Sequence, residues 1–230
     1  PFLLPESYDA LSADPNLTIE EKFPGDTYNL AFNMSEEGTT HPAIKDATVR
    51  EAIDYAIDKE KIVDVVFLGH AVTCPSNYGC GPNFEKDLNP DLEITPFDLD
   101  KANQILEDAG YLDTDSDGIR ETADGLPLEF RLSYITDFPP ALTISEMIAD
   151  WLGEIGIQVE VESLDWGTWY DAVTNQRDFD MTIDFALGNI DPVSMDYWHS
   201  CWAAGPGGYS TSGYCNEDFD YMVYDYWFGT

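Results

Sequence analysis

Apolar residues recur along this chain in two rhythms, spaced by three and four where a helix would bury one stripe, and by two where a strand would bury one face. Residues 1 to 26 show neither rhythm and read as mostly irregular. Tyr28, Leu30 and Phe32 then alternate with small or polar neighbours, predicting a strand that ends at Asn33. Asp46 can cap a helix with its stripe at Val49, Ala52, Ile53, Ala56 and Ile57, and a second short helix runs through Ile62, Val63 and Val66 to Gly69. Residues 70 to 97 read as a long loop, after which Asp98 caps a helix carrying Ala102, Ile105, Leu106 and Ala109 and stopped by Gly110.

From Leu126 the period becomes two, with Leu128, Phe130, Leu132 and Tyr134 on one face, until Pro139 and Pro140 open a helix to Gly156. Its stripe is Ile144, Met147, Ile148, Trp151, Leu152 and Ile155. A strand through Ile157, Val159 and Val161, a helix with Trp169, Tyr170 and Val173, and a strand through Phe179, Met181, Ile183 and Phe185 follow. This alternation predicts an α/β fold with right-handed crossovers and a largely parallel sheet flanked by helices. Such sheets bind ligands beyond the carboxyl ends of their strands. That rule singles out residues 186 to 192 and the aromatic Tyr197, Trp198 and Trp202 that follow. The pocket wall is accordingly expected at Leu187, Gly188, Asn189 and Trp198, with Asn33 at its edge.

Composition narrows the partners. The chain has 230 residues, 43% hydrophobic and 13% aromatic, enough for a sizeable core. No stretch reaches the run of about 18 apolar residues that a membrane helix needs. Ten Lys and Arg stand against 45 Asp and Glu, a formal charge of −35, which repels nucleic acid and anionic membrane surfaces. Four cysteines form two local pairs, Cys74 with Cys80 and Cys201 with Cys215, each bracketing loop-like sequence, and both can close as disulfides. Disulfides would place the chain outside the cytoplasm.

One short segment has metal-ligand spacing. Asp113, Asp115, Asp117, Glu121 and Asp124 fall at loop positions one, three, five, nine and twelve, with Gly118 at six and the Ile119 carbonyl at seven, which is how a calcium loop converges its oxygens. A structural calcium ion is expected there. Hydrolase and phosphate-loop signatures are absent from the sequence, so binding is expected in place of catalysis.

Several stretches in order resemble a known family. They are residues 28–33 (YNLAFN), 49–59 (VREAIDYAIDK), 98–102 (DLDKA) with Ile105, Leu106 and Ala109 to Tyr111, then Asp117 with Gly118, residues 155–157 (IGI), Asp165 with Trp166, and Phe179 with Asp180. The set resembles extracellular solute-binding protein family 5, the peptide, nickel and oligosaccharide binders of ABC importers. The resemblance implies a lobe of the type II periplasmic-binding-protein kind, with residues 1–26 crossing from a first lobe and 27–230 forming a second ligand-binding lobe truncated at its C-terminal end. It also implies a monomer that captures a peptide or oligosaccharide and docks on ABC permease subunits. The parent would be extracellular or periplasmic, secreted or lipid-anchored to the cell surface. In peptide-binding relatives an aspartate four residues before the loop proline holds the ligand's amino group; counting back from Pro192, that position is Gly188, with Asp191 nearby. Sugar-binding relatives use tryptophan stacking and amides, for which Asn189, Trp198 and Trp202 are suited. A calcium-stabilised carbohydrate-binding or adhesion module is the reading outside transport.

Overall fold

The computed structural model describes residues 5–20, 26–76, 88–186 and 199–229. It opens with a helix where irregular chain is expected, α1 (Pro5–Ser12). Then come β1 (Thr27–Phe32), α2 (Ala47–Ala56), α3 (Lys59–Val66), α4 (Leu99–Asp108), β2 (Glu129–Ile135) and α5 (Pro139–Gly153). The remainder is β3 (Gln158–Leu164), α6 (Trp166–Tyr170), β4 (Met181–Ala186) and α7 (Glu217–Phe228). Beyond Tyr170 the helix continues as a wider turn over Asp171–Gln176.

The four strands lie in the order β1-β4-β2-β3. β2 pairs in parallel with both β3 and β4, while β1 runs antiparallel to β4 with Thr27 opposite Ala186 and Phe32 opposite Met181. The sheet is therefore mixed. Because β1 is reversed, its start lies at the carboxyl pole of the parallel strands and its end at their amino pole.

Aspartates initiate four of the seven described α-helices. Asp46, Asp58, Asp98 and Asp165 each accept a hydrogen bond from a first-turn backbone N–H of the helix that follows. These contacts satisfy donors that a helix leaves unpaired and place negative charge against its positive end. The expected stripes of α2, α4 and α5 meet one face of the sheet. There Ile44, Ala52, Ile53, Leu106, Leu128, Phe130, Leu132, Leu152, Ile155 and Met181 are nearly or wholly buried. The sequence pattern assigned β2 one buried face. Ser133 and Ile135 are buried too, because Trp169, Val173 and Phe179 pack beneath the other side of this central strand.

Entry into β4 is controlled by Arg177 and Asp180. Arg177 ends the wide turn in the left-handed region (φ 55°), a conformation that costs a side-chain-bearing residue about 1 kcal/mol or more. Its guanidinium is wholly buried and donates to the carbonyls of Ser210 (2.7 Å), Gly205 (2.8 Å), Thr211 (3.0 Å), Ala204 (3.2 Å) and Val173 (3.4 Å). Its own carbonyl accepts from Thr39 N and Asn33 Nδ2. Gly38 passes so close that a Cβ there would lie 2.1 Å from the Arg177 carbonyl oxygen. A disulfide, Cys201–Cys215, closes the loop whose carbonyls Arg177 grips. Cys74 is a free thiol with Sγ 3.1 Å from the Ser76 carbonyl, and Cys80, its expected partner, lies outside the described residues.

At the same pole Asp180, 4% exposed, accepts from His41 N (2.6 Å), Thr40 Oγ1, Arg131 N and Arg131 Nε. His41 in turn accepts at Nδ1 from Ala43 N and places Nε2 3.0 Å from the Pro127 carbonyl, an arrangement that fits the neutral ring. Burial lowers the His41 pKa, against the opposing pull of Asp180.

Two predictions follow from this pole. Arg177→Met should destabilise the fold by at least about 3 kcal/mol in urea titration, since several buried carbonyls lose their donor, and Arg177→Lys should recover less than half of that. Because the folded His41 pKa lies below the unfolded value near 6.5, its contribution is fully present above that value and is lost as pH falls toward the lowered one. Denaturation midpoints at about pH 7.5 and pH 5.5 should therefore differ more in the native chain than in His41→Asn, whose amide can still cap Ala43 without titrating.

Candidate functional site

The carboxyl pole gathers the ends of β2, β3 and β4 and the start of β1, and its surface is aromatic. On the α5 face Tyr28 stacks on Phe138 with ring centroids 4.4 Å apart and on Phe67 at 5.8 Å. Phe185 is the cross-strand partner of Tyr28, and both are partly open to solvent, at 36% and 45%. Position explains these contacts: Phe138 precedes the prolines that start α5, and Phe67 ends α3.

On the opposite face Trp166, 49% exposed, lies against Trp169 at 5.6 Å and Tyr170 at 6.0 Å. Asp165 initiates this short helix by accepting from Gly167 N, Thr168 N and Thr168 Oγ1, bonds that lower its pKa. Trp169 is fixed from below, its Nε1 donating to Thr182 Oγ1 (2.7 Å), which donates to the Ser133 carbonyl. A planar group meeting Trp166 thus meets a side chain on a rigid base.

The same face carries a half-buried carboxylate. Asp184 sits on β4 opposite Asn29 and accepts from Phe185 N at 2.8 Å. Burial pushes its pKa up, while a hydrogen bond from the Thr211 side chain and the Phe185 N–H pull it down. Thr211 belongs to the loop closed by Cys201–Cys215, so the loop held by Arg177 also reaches the crevice.

Of the expected pocket residues, Leu187, Gly188, Asn189 and Trp198 lie outside the described residues; Leu187 directly follows β4. Asn33 lies elsewhere. It is wholly buried at the amino pole, where Nδ2 donates to the carbonyls of Arg177 and Phe179 and Oδ1 accepts from Ser35 N. The expectation of Asn33 at the pocket edge treated the end of β1 like the ends of the parallel strands, and the antiparallel pairing of β1 corrects it. Tyr28, at the other end of β1, is the residue that this reversal brings to the crevice. Asp165 with Trp166 and Asp137 with Phe138 directly follow strands, so the strand-end rule applied to β2 and β3 finds them as well.

The acidic loop forms a second constellation. Carboxylate oxygens of Asp113, Asp115, Asp117 and Glu121 all lie within 4.8 Å of one another. The first three are exposed, Glu121 is buried, and Gly118 turns the chain at φ 95°. Asp113 accepts from Ser116 N and Gly118 N, Asp117 from Ile119 N, and Glu121 from Thr114 N and Oγ1. An all-carboxylate donor set of this kind fits a hard cation. Asp124 is not in the cluster; it lines a hollow of about 220 Å³ with Pro42, Ala43, Tyr111, Thr122 and Leu126. The chain has turned back there, with Glu121 bridging Leu112 and Pro127, so position twelve does not return to position one.

The family model described as bacterial extracellular solute-binding proteins, family 5 Middle, matches residues 2–208. The chain belongs to this family. It is 25% identical over 225 residues to di/tripeptide-binding protein 1 of Pseudomonas aeruginosa, covering 96% of this chain and 38% of that protein. It is 30% identical over 159 residues to oligopeptide-binding protein AppA of Bacillus subtilis, covering 68% of this chain and 28% of that one. The solved structure of that AppA in complex with a nonapeptide superposes with a TM-score of 0.82 at 24% identity, covering 97% of this chain and 43% of that one. The chain thus spans well under half the length of these family 5 relatives. No helix among the described residues is long and apolar enough to cross a membrane.

Proposed function

We propose that this chain is one wall of the solute crevice of a peptide-capturing ABC-importer binding protein, and that it catalyses nothing. The observation that carries this reading is the match across residues 2–208 to family 5, whose relatives here include di/tripeptide- and oligopeptide-binding proteins. The carboxyl pole supports it, because rigid aromatic surfaces at strand ends suit the apolar side chains of a peptide. In this reading Leu187, Gly188, Asn189 and Trp198 extend the wall beyond β4, and a second lobe closes over the solute. The parent protein acts outside the cytoplasm as a monomer, secreted or lipid-anchored, and delivers its peptide to ABC permease subunits. One lobe alone binds weakly, since closure supplies about half the contacts.

Full-length protein titrated with di-, tri- and oligopeptides and with oligosaccharides, followed by tryptophan fluorescence, should saturate with peptides. Trp198→Ala should weaken the bound peptide by roughly tenfold or more, as truncation of a buried aromatic anchor does. Unchanged affinity in that variant would remove Trp198 from the wall, and saturation by sugars alone would overturn the peptide reading.

We further propose a structural calcium ion on Asp113, Asp115, Asp117 and Glu121. It would join the end of α4 to the start of β2 and neutralise four converging carboxylates. Chelation should lower Tm by about 5 °C relative to protein in calcium at a hundredfold excess over Kd, with recovery on adding calcium back. A melt indifferent to chelator and calcium would refute it.

A further inference from the structure

We infer that this wall selects solutes bearing positive charge beside an apolar group, meaning basic peptides carrying an aromatic or aliphatic residue, and disfavours acidic peptides. The inference rests on the peptide reading above and adds the class of peptide. Every strand that reaches the carboxyl pole brings a carboxylate with it. Asp26 precedes Thr27 at the start of β1, Asp137 follows β2 by two residues, Asp165 follows β3, and Asp184 lies two residues before the end of β4. Burial raises the Tyr28 pKa, and Asp26 is near enough to raise it further.

These acids interleave with the ring surfaces. Tyr28 and Phe185 lie on one face of the sheet, and Trp166 on the other beside Asp165. A ring face also attracts an ammonium or guanidinium, so stacking and charge favour the same solute.

Six of the eight described lysines and arginines have other partners for their side chains. Lys45 pairs with Glu36, Lys59 with Asp54, Arg120 with Glu107, and Arg131 with Asp178 and Asp180 at the amino pole. Arg50 donates to the Ile44 carbonyl, and Arg177 is buried under the loop it holds. Lys61 and Lys101 stand in the first turns of α3 and α4, where their backbone N–H groups meet the capping aspartates. Among the described residues no cation shifts Asp184, whose partners there are the neutral Thr211 and a backbone N–H. A partly desolvated carboxylate gains more from an arriving cation than a fully hydrated one, because less water screens the pair. At a formal charge of −35 the surrounding field steers cations in and anions away.

The test uses the full-length protein and three tripeptides of equal length, Ala-Phe-Lys, Ala-Phe-Gln and Ala-Phe-Glu, titrated at low and high ionic strength. The lysine peptide should bind at least roughly tenfold tighter than the glutamate peptide, with the neutral one between and the gap narrowing in salt. Asp184→Asn should compress the lysine-to-glutamate ratio severalfold, weakening Ala-Phe-Lys more than Ala-Phe-Gln. Should Asp184→Asn fail to fold, Asp137→Asn, an exposed position, should show a smaller compression in the same direction. Equal affinity for the three peptides, a preference for the glutamate peptide, or a ratio unmoved in the folded variants would overturn the inference and leave the peptide reading standing. Binding of none of the three, with saturation by sugars, would overturn the peptide reading itself.

Discussion

The architecture depends on one buried guanidinium. Arg177 has 45 carboxylates in the chain to choose from, yet its five donor contacts are all to neutral carbonyls. A carboxylate would satisfy two or three of its N–H groups at one point, whereas dispersed carbonyls let a single side chain hold residues 204–211 against the start of β4. The backbone strain at φ 55° persists because these contacts over-determine it. Through Asn33 and Thr39 the same residue fixes the exit of β1, and through Thr211 it supports the loop that reaches Asp184.

This arrangement divides labour between the two poles. At the amino pole, polar groups are buried and paired among themselves: Asp180 with Arg131 and His41, and Asn33 with the carbonyls before β4. At the carboxyl pole, aromatic rings stack but stay partly open, and among the described residues Asp184 is tied to neutral groups. The first pattern satisfies its polar groups within the protein, around a hollow of about 360 Å³. The second leaves aromatic surface and charge open at the pole where an α/β sheet forms its crevice.

The abundance of acid also acquires structure. Asp46, Asp58, Asp98 and Asp165 start helices, and Asp46 additionally accepts from the Tyr111 hydroxyl, whose pKa burial and this bond raise to about 12. Asp180 holds β2 to the turn before α2, and four more acids converge in one loop. The excess over the ten basic residues therefore rests partly on local roles in which a negative group meets backbone N–H donors.

Local chemistry made much of this legible in advance. The helices starting at Asp46 and Asp98 are where a capping acid and an apolar stripe put them, the strands follow the period-two runs, and Cys201 with Cys215 closes a short loop because sequence proximity keeps the two thiols together. The helix at Pro5–Ser12 was not legible, since its weak stripe carries no distinct period. Nor was the buried second face of β2, because a strand read alone does not show what packs beneath it. The sequence by itself determined the family and, through neighbours within a turn or two of chain, most element types and the acidic loop. Only the tertiary structure decided that β1 runs backwards, exchanging Asn33 for Tyr28 at the crevice, and that Arg177 reaches across more than thirty residues to its carbonyls. Strand direction and long-range hydrogen bonds are set by which surfaces can be buried together, and that is a property of the whole fold.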